Sequence, residues 1–446
     1  MNKLKIKIYT LLLLILVSIS SEAQYRFPLR ISENKRYFKD ANGKPFLYHA
    51  DTGWQIFVLL TTPEAIEYLS HRKNQGFNTI QVQLVMSPEQ VNRYGHKPFL
   101  GNNDFARPDE AYYDHVAEIL AKADSLGLLI VMSQPWLGCC QEGFGGRPDK
   151  PFLANGPEKS RKYGQYLGKK FAKFNNLFWI MGGDNDPKGD RLSLFAFFDG
   201  LREAAPKYQL MTYHASPPHS STDLFQYADW LGFSFIYTYW REKPNEWVTA
   251  DLQPHVYEAA LMEWSKSDTM PFVLGESQYE GTGKIENDMG HSQIIRRQAY
   301  WTMLCGGAGH AYGSDIWNFP ANWREIMNYP GARQLGHFID FFEQIPWWTL
   351  VPDVRHLAVV DGYGEWSKPN FITTAVSKDK KLLVAYIPQI QPVTVNFDSL
   401  AGEFFRIKWF NPATGLVVKE LTITSKKVQR LATPPGEDMV LLIQSI

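Results

Sequence analysis

Eight short apolar runs alternate with longer amphipathic segments between residues 45 and 344 of this chain of 446 residues. Runs without polar alternation are typical of strands that are buried on both faces of a parallel sheet. Eight strand–helix units in this length fit an α/β fold, a (β/α)8 TIM barrel, whose usual size is ~250 residues or more. The predicted strands are residues 45–51, 79–85, 128–133, 177–181, 210–214, 231–234, 271–276 and 308–312.

Helix signals lie between these runs. The first helix is predicted to begin at Thr61 or Thr62, with Pro63 in its first turn and Glu64 close behind. The other predicted helices are residues 109–126, 156–174, 191–205, 256–265, 292–305 and 332–344. A doubly wound sheet would also alternate, but it carries a Gly-rich phosphate turn after its first strand. Here that position reads Asp51-Thr52-Gly53-Trp54, which disfavours a nucleotide site.

Both ends of the chain differ from the barrel pattern. Before it, residues 29–40 and 44–50 are predicted strands around the turn Asn42-Gly43. After it, short alternating runs predict a small all-β sandwich. These runs are residues 371–377, 382–387, 393–397, 405–410, 416–423 and 439–443. We predict a catalytic domain at 24–348, a sandwich domain at 349–446, and a linker at 346–352 that brings Trp347 and Trp348 to the interface.

The first residues have the pattern of an export signal. Lys3, Lys5 and Lys7 precede an apolar run at 9–19, and Ser21-Glu22-Ala23 fits a small-x-small cleavage site. A membrane anchor is the alternative, but the run is short of the ~20 residues needed to span a bilayer. We therefore expect residues 1–23 to be removed and the protein to be periplasmic or secreted, without membrane insertion.

Composition narrows the class of ligand. Lys plus Arg equals Asp plus Glu at 46 each, so the formal net charge is zero and a nucleic-acid partner is disfavoured. The 14 Trp and 22 Tyr residues include aromatic faces that suit stacking on sugar rings. An oligo- or polysaccharide substrate is expected, and the oligomeric state is left open.

No cofactor or metal is expected. The three cysteines, Cys139, Cys140 and Cys305, are an odd number in an exported chain, so no disulfide framework is predicted. Adjacent Cys139 and Cys140 are read as free thiols, with a strained vicinal bridge as the alternative. A barrel zinc site would favour His-x-His on the first strand, where this chain has His49-x-Asp51.

Two acidic residues share one local pattern: an apolar strand, then glycine, then a carboxylate. Asp184 follows the strand and two glycines of LFWIMGGDND, and Glu276 ends PFVLGE. Side chains at the carboxyl ends of barrel strands carry the chemistry of this fold. We predict that Asp184 and Glu276 face one another across the barrel mouth as the two carboxyl groups of a glycosidase. Asp184 has the alternative role of a helix or turn cap, and Asp186 competes with it for the role of acid.

Other polar and aromatic residues follow the same strand ends. Amides, carboxylates and phenols that grip hydroxyl groups, with indoles that stack, form a set suited to carbohydrate. The expected contacts are Asp51, Trp54, Gln83, Trp136, Asp186, His214, Tyr237, Tyr239, Gln278, Tyr279, Tyr312, Asp315 and Trp317.

The strand motifs together resemble the apiosidase-like glycoside hydrolase family of the retaining barrel clan. They are FLYHADTGWQIF, GFNTIQVQ, FWIMGGDND, PFVLGES and GGAGHAYGSDIWNF. The resemblance extends to a C-terminal sandwich of the type called "putative collagen-binding", a name by analogy. It implies that Asp184, inside GGD, is the acid/base and that Glu276, inside GES, is the nucleophile. The wider clan usually has Asn-Glu where this chain has Gly183-Asp184.

The resemblance implies an exported retaining exo-glycoside hydrolase of plant cell-wall glycans. The activity implied for the family is release of β-linked apiose from side chains of the pectin rhamnogalacturonan II. The alternative from another class is a non-catalytic carbohydrate-binding or adhesion protein on a barrel scaffold. The presence of both carboxylates argues against that alternative.

Overall fold

The computed structural model describes residues 25–138, 143–145, 150–239, 253–281, 292–424 and 427–446. Three two-residue strands open the described chain and pair antiparallel: β1 (Arg30–Ile31), β2 (Phe38–Lys39) and β3 (Pro45–Phe46). The turn at Asn42-Gly43 is confirmed, but the long strands predicted around it are wrong. Phe38 packs against the rings of Tyr48, Phe178 and Phe233, which closes the amino-terminal end of the barrel.

Eight parallel strands form the barrel. They are β4 (Tyr48–Thr52), β5 (Thr79–Gln83), β6 (Leu129–Ser133), β7 (Leu177–Gly182), β8 (Met211–His214), β9 (Ser234–Tyr237), β10 (Phe272–Glu276) and β11 (Gly309–Tyr312). Their order is β8-β7-β6-β5-β4-β11-β10-β9, so the first and eighth strands are neighbours. An isolated bridge from Met211 of β8 to Leu231, shortly before β9, nearly closes the ring. The predicted barrel is confirmed.

The sixth strand lies further along the chain than predicted. Residues 231–234 were expected, but β9 pairs with β10 from Ser234 opposite Phe272. Leu231 and Gly232 instead lie in the segment that leads into β9. The Gly232 backbone N–H donates to the Met211 carbonyl. The apolar run therefore included the entry turn as well as the start of the strand.

Strand alternation separates two layers of side chains. Ala50, Val131, Ile180 and Val273 belong to one apolar cluster in the barrel interior. The intervening residues pack outward against the helices, as Val82 and Trp179 do. A side chain at a strand end can therefore reach the mouth only if its position in the strand points inward.

Ten helices of the described residues surround the sheet or connect its strands. They are α1 (Ile56–Leu59), α2 (Thr62–Asn74), α3 (Glu110–Ser125), α4 (Pro151–Lys170), α5 (Arg191–Ala204), α6 (Ser221–Phe225), α7 (Val256–Ser265), α8 (Ser292–Leu304), α9 (Trp323–Ile326) and α10 (Pro330–Glu343). Thr61 caps α2 in a capping box with Glu64. None of the helices in the described part of the chain is long and apolar enough to cross a membrane.

The C-terminal strands form two antiparallel sheets, ordered β12-β14-β15-β20-β17-β18 and β13-β16-β19. Their bounds are β12 (Leu350–Pro352), β13 (Val359–Asp361), β14 (Thr373–Ser377), β15 (Leu382–Ile387), β16 (Val393–Asn396), β17 (Phe404–Asn411), β18 (Leu416–Thr424), β19 (Val428–Leu431) and β20 (Met439–Ser445). The predicted all-β module is confirmed, with β12, β13 and β19 as additional strands.

The two modules share one apolar cluster, which includes residues of both. The ring of Tyr300 on α8 stacks on Tyr386 of β15 with centroids 4.9 Å apart. Arg296, also on α8, places its Nη2 2.7 Å from Asp438 Oδ1. Trp347 is buried in the same cluster and Trp348 packs against it, as the linker prediction required.

Cys305 is a buried free thiol. Cys139 and Cys140 lie outside the described residues, as does the predicted signal segment.

Candidate active site

The turn after β7 is built from three consecutive residues with positive φ. Gly182, Gly183 and Asp184 have φ values of 77°, 144° and 57°. A side chain at Gly182 would collide with the Tyr213 ring, and one at Gly183 with the Trp136 ring. Asp184 carries a β-carbon in the left-handed region, which costs roughly 1–2 kcal/mol. The two glycines therefore let the chain pass close to aromatic walls and deliver Asp184 at the strand end.

Backbone hydrogen bonds fix this turn to β8. The Gly183 N–H donates to the His214 carbonyl at 3.0 Å, and the Asp184 N–H donates to His214 Nδ1 at 2.9 Å. The Tyr213 hydroxyl donates to the Asn185 carbonyl at 2.7 Å. These bonds hold the Asp184 backbone in place, and its side chain is half-buried at the mouth.

Glu276 ends β10 and is more enclosed, with 7 % of its surface exposed. It follows Gly275, where a β-carbon would collide with the Phe235 ring, and the register with β9 shifts at this point. The Tyr279 hydroxyl hydrogen-bonds the Glu276 carboxylate. Strict alternation from the inward-facing Val273 would point Glu276 outward against the helices, and the bulge instead turns its carboxylate toward the barrel mouth.

His214 connects the two carboxylate positions. Its Nδ1 accepts the Asp184 N–H, so in the neutral ring the hydrogen is carried by Nε2. That Nε2 lies 3.0 Å from Glu276 Oε2. Burial lowers the pKa of His214 to about 4, so the ring is neutral at pH 7. The neutral His214 ring thus approaches Glu276 from the β8 side of the mouth.

The two carboxylates are close together. One carboxylate oxygen of Asp184, one ring nitrogen of His214 and one carboxylate oxygen of Glu276 all lie within 4.8 Å of one another. In inverting glycosidases a water lies between the two carboxyl groups, which are ~6.5–9.5 Å apart. In retaining glycosidases one carboxyl group is the nucleophile, and the two are ~5–5.5 Å apart.

Burial raises the pKa of Glu276 to about 8, and the Tyr279 hydrogen bond opposes this shift. Glu276 therefore retains a proton at neutral pH, close to the Asp184 carboxyl group. One proton shared by two carboxyl groups is the state in which one group can donate while the other attacks.

Asp184, His214 and Glu276 are also the set of described residues that could hold a metal ion. The tautomer of His214 weighs against this, because a hydrogen on Nε2 occupies the lone pair that a metal would need. The donor set fits a proton-sharing pair better than a coordination sphere.

Aromatic side chains form the walls of the mouth. Trp136 stacks on His214 with centroids 5.5 Å apart, and Tyr237 lies 4.7 Å from His214 on another side. The Trp54 indole N–H donates to the Tyr279 hydroxyl at 2.7 Å. The hydroxyls of Tyr237 and Tyr239 are 2.8 Å apart. The carboxylates thus lie among rings suited to stacking on a sugar.

Three predicted contacts lie near these walls. Gln83 points inward and its Oε1 has no partner among the described residues. Gln278 is buried and donates through Nε2 to the Tyr279 carbonyl at 3.3 Å. Trp317 is half-buried and packs against the interior cluster that includes Trp54 and Trp136. Gln83 is the one of the three with a buried acceptor still available for a ligand hydroxyl.

The prediction that Asp51 and Tyr312 contact the ligand is corrected here, because both side chains point outward from the barrel. Asp51 lies 2.5 Å from Arg72 Nε and also accepts from Tyr68 on α2. The Tyr312 hydroxyl donates to Glu280 Oε2 at 2.7 Å. Their inward neighbours along the strands are Ala50 and Ala311. Both lie at the carboxyl end of a barrel strand, but strand alternation places them against the helices, where they stabilise the fold.

Asp186 is held by the loop after β8. Its Oδ1 accepts from the Ser216 backbone N–H at 3.0 Å and from the Ser216 hydroxyl at 2.9 Å, and its Oδ2 lies 3.0 Å from His219. These contacts engage both carboxylate oxygens of Asp186 in holding the loop after β8. The role of His214 as a link to both carboxylate positions was missed in the sequence, where it was grouped with ligand contacts.

Two families of known proteins match successive parts of the chain. Residues 32–349 match the family described as "Apiosidase-like, catalytic domain", and residues 363–444 match "Putative collagen-binding domain of a collagenase". Among curated proteins, none matches this chain.

Solved structures share the fold over nearly the whole chain. One, titled "Glycoside hydrolase", has a TM-score of 0.80 at 22% identity and covers 94% of this chain and 96% of its own. A glycoside hydrolase family 5 protein from Bacteroides vulgatus has a TM-score of 0.80 at 23% identity, covering 94% and 93%. A second Bacteroides vulgatus structure, titled "putative glycoside hydrolase", has a TM-score of 0.66 at 15% identity, covering 96% and 83%.

The fold is therefore that of glycoside hydrolases, and the family match supports a hydrolase acting on glycans. Because the match at residues 32–349 covers most of the sequence, the chain belongs to the apiosidase-like family.

Proposed function

We propose that the protein is a retaining exo-glycoside hydrolase that releases β-linked apiose from the side chains of pectic rhamnogalacturonan II. The observation that carries the proposal is the approach of the Asp184 and Glu276 carboxylates to within 4.8 Å. That separation suits a double displacement better than the wider spacing of inverting enzymes. The apiose specificity rests on membership of the family.

In the first step a Glu276 carboxylate oxygen attacks the anomeric carbon while the Asp184 carboxyl donates its proton to the glycosidic oxygen. The glycosidic C–O bond breaks, the leaving alcohol departs neutral, and an ester joins the sugar to Glu276. In the second step Asp184 takes a proton from water, whose oxygen attacks the same carbon. The ester bond breaks, and both carboxyl groups return to their starting states.

Burial supports this division of roles. Asp184 is half-buried at the mouth, where water for the second step can reach it. Glu276 is enclosed, and it is oriented by the Tyr279 hydroxyl and by His214 Nε2 at 3.0 Å. The hydrogen bond from the Tyr279 hydroxyl favours the ionised form of Glu276 once the proton is on Asp184.

The division of roles is tested by trapping. A 2-fluoro glycoside with a good leaving group is expected to leave a covalent adduct on the peptide that contains Glu276, identified by mass spectrometry. An adduct on the peptide containing Asp184 would exchange the two roles. The anomeric configuration of the first product, followed by NMR, is expected to match the substrate, and an inverted product would rule out double displacement.

The substrate is tested by product analysis. Incubation with rhamnogalacturonan II is expected to release free apiose, measured by chromatography against a panel of plant and host glycans. Release of a different sugar from another glycan would overturn the apiose assignment and leave the glycosidase mechanism in place.

Export is part of the proposal, since the pattern of residues 1–23 is that of a cleaved signal. Amino-terminal sequencing of the protein from its native host is expected to give a chain that starts near Gln24.

A further inference from the structure

A groove lies where the sandwich domain meets the barrel, away from the paired carboxylates. Its open part has a volume of about 470 Å³ and is lined by Pro254, Glu258, Leu261, Met262, Ser265 and Trp366. A deeper cavity of about 100 Å³ continues from it past Leu261 and Trp366 to Thr373 and Thr374. The groove therefore combines a helix of the barrel with a loop and a strand of the sandwich.

Trp366 is held as an exposed platform. Its indole is 57 % exposed, although its ring meets Tyr257 at 75° and Phe371 at 90°. These edge contacts hold the ring and leave much of its surface to solvent. A large apolar ring that is fixed in place but uncovered is suited to stacking on a ligand.

The loop that carries Trp366 is attached to the start of α7 by hydrogen bonds of the two residues that follow Trp366. His255 Nε2–H donates to the Ser367 carbonyl at 3.3 Å, and the Tyr257 hydroxyl donates to the Lys368 carbonyl at 3.2 Å. The Ser367 hydroxyl donates to Glu258. The position of the indole is thus set before any ligand arrives, which lowers the entropy cost of binding.

Two residues that line the deeper cavity carry hydroxyls without partners among the described residues. The Oγ1 atoms of Thr373 and Thr374 are buried and have no hydrogen-bond partner among the described residues. Both residues line the deeper cavity, and they are 3% and 7% exposed. Buried hydroxyls without partners are costly unless water or a ligand meets them.

The carboxylates at the rim are already engaged. Glu258 accepts the His255 N–H at 2.7 Å as well as the Ser367 hydroxyl. Asp353 accepts the backbone N–H groups of Leu357 and Ala358 at 2.9 and 2.8 Å. A stacking ring, hydroxyls without partners and engaged charges together favour an uncharged, polyhydroxylated ligand.

One end of the groove, at Pro254 and Glu258, lies toward the face that carries the chemistry. Helix α7 follows β9, so its first turn, with Glu258, is at the end of the barrel where strands finish. Glu276 ends β10 at the same end. We propose that the groove at Trp366 is a secondary binding site for a neutral sugar ring of the glycan whose cleavage was proposed above, and the identity of that ligand rests on the proposed function.

The test separates binding from turnover. Native gel electrophoresis through rhamnogalacturonan II, arabinogalactan or xyloglucan measures binding, in a Glu276→Gln background that prevents hydrolysis. Hydrolysis of a small aryl glycoside measures turnover in the unmodified background. Trp366→Ala is expected to weaken binding to at least one polysaccharide about tenfold, the size of one good ring contact. It is expected to leave turnover of the aryl glycoside unchanged.

Two further variants control for folding. Met262→Glu places a charge in the groove at a side chain that is 54% exposed, and it is expected to weaken binding without touching the Trp366 loop. Tyr227→Ala removes an exposed aromatic ring that is 86% exposed and lies outside the groove, and it is expected to change nothing.

The proposed binding site would be overturned if both groove variants were retarded as much as the parent protein. It would also be overturned if none of the three polysaccharides retarded the parent protein. Equal loss of aryl glycoside turnover in Trp366→Ala would also overturn it, by placing the effect at the active site. A protein that is retarded through Trp366 but hydrolyses no glycoside would refute the proposed function and retain the binding site.

Discussion

Asp51 and Glu276 are both buried carboxylates at the carboxyl ends of barrel strands, and they have opposite surroundings. Asp51 faces outward, where Arg72 Nε lies 2.5 Å from its Oδ2 and supplies a full opposing charge. Glu276 faces the mouth, where the groups that reach it are the neutral Tyr279 hydroxyl and the neutral His214 ring. A buried acid with a matching cation contributes to stability, whereas one with only neutral donors keeps a raised pKa that chemistry can use.

The largest expected effect is the loss of turnover when the Glu276 carboxylate is removed. Glu276→Gln is expected to reduce kcat on the order of 10⁴-fold or more, because a carboxamide cannot form the glycosyl ester. Steady-state kinetics with an aryl glycoside measures it.

Because burial raises the pKa of Glu276 to about 8, folding at pH 7 requires that acid to take up a proton. The amide avoids this cost, so Tm at pH 7 is expected to stay the same or rise.

Glu280→Gln is the matched control. Glu280 is four residues away and buried, but its carboxylate accepts from Tyr312 and from the Gly331 N–H. That variant is expected to lose stability and keep turnover per folded molecule. Full activity of Glu276→Gln would remove Glu276 from the mechanism.

Asp184→Asn is expected to lower kcat by about 10²- to 10⁴-fold, the usual contribution of a general acid–base group. Asp186→Asn is expected to lose less, because Asp186 is held by Ser216 and His219. The same kinetic assay compares the two. A larger loss in Asp186→Asn would make Asp186 the acid.

Asp51→Asn tests the other side of the comparison. It leaves the buried Arg72 guanidinium without its counter-charge and is expected to cost about 3–5 kcal/mol in the free energy of unfolding. Urea unfolding measures the loss, and turnover per folded molecule is expected to be unchanged. Glu67→Gln, which breaks the exposed Arg324–Glu67 pair, is expected to cost about 1 kcal/mol or less. Equal costs in the two variants would show that Asp51 is not a structural ion pair.

The smallest expected effect is a shift in pH dependence. Since the carboxyl pair keeps one proton until about pH 8 through the raised pKa of Glu276, kcat/KM is expected to fall above that pH. The Tyr279 hydrogen bond lowers this pKa, so Tyr279→Phe is expected to move the alkaline limb to higher pH. The pH profile of kcat/KM measures the shift. Movement toward lower pH would mean that Tyr279 does not stabilise the ionised pair.

Much of the barrel could be predicted because its signals are local. The strand ends at Asp184 and Glu276 follow from apolar runs and glycines, and the predicted bounds of α7 match the structure. The mouth contacts were assigned by order along the chain alone, which misplaced Asp51 and Tyr312. Counting alternate residues from an interior position such as Ala50 would have excluded Asp51.

Other features depend on contacts between distant segments and leave no local pattern. The hydrogen bond between the Asp184 N–H and His214 joins two strand ends 30 residues apart. The start of β9 is set by its pairing with β10, since the apolar run alone also covers the entry turn. The bulge before Glu276 likewise arises from that pairing.

The apolar cluster around Tyr300 and Tyr386 joins the barrel to the sandwich. Because α8 is covered by the sandwich, neither module can be lost without exposing an apolar surface of the other. We therefore expect the two modules to unfold together, and either module produced alone to aggregate through its uncovered apolar face.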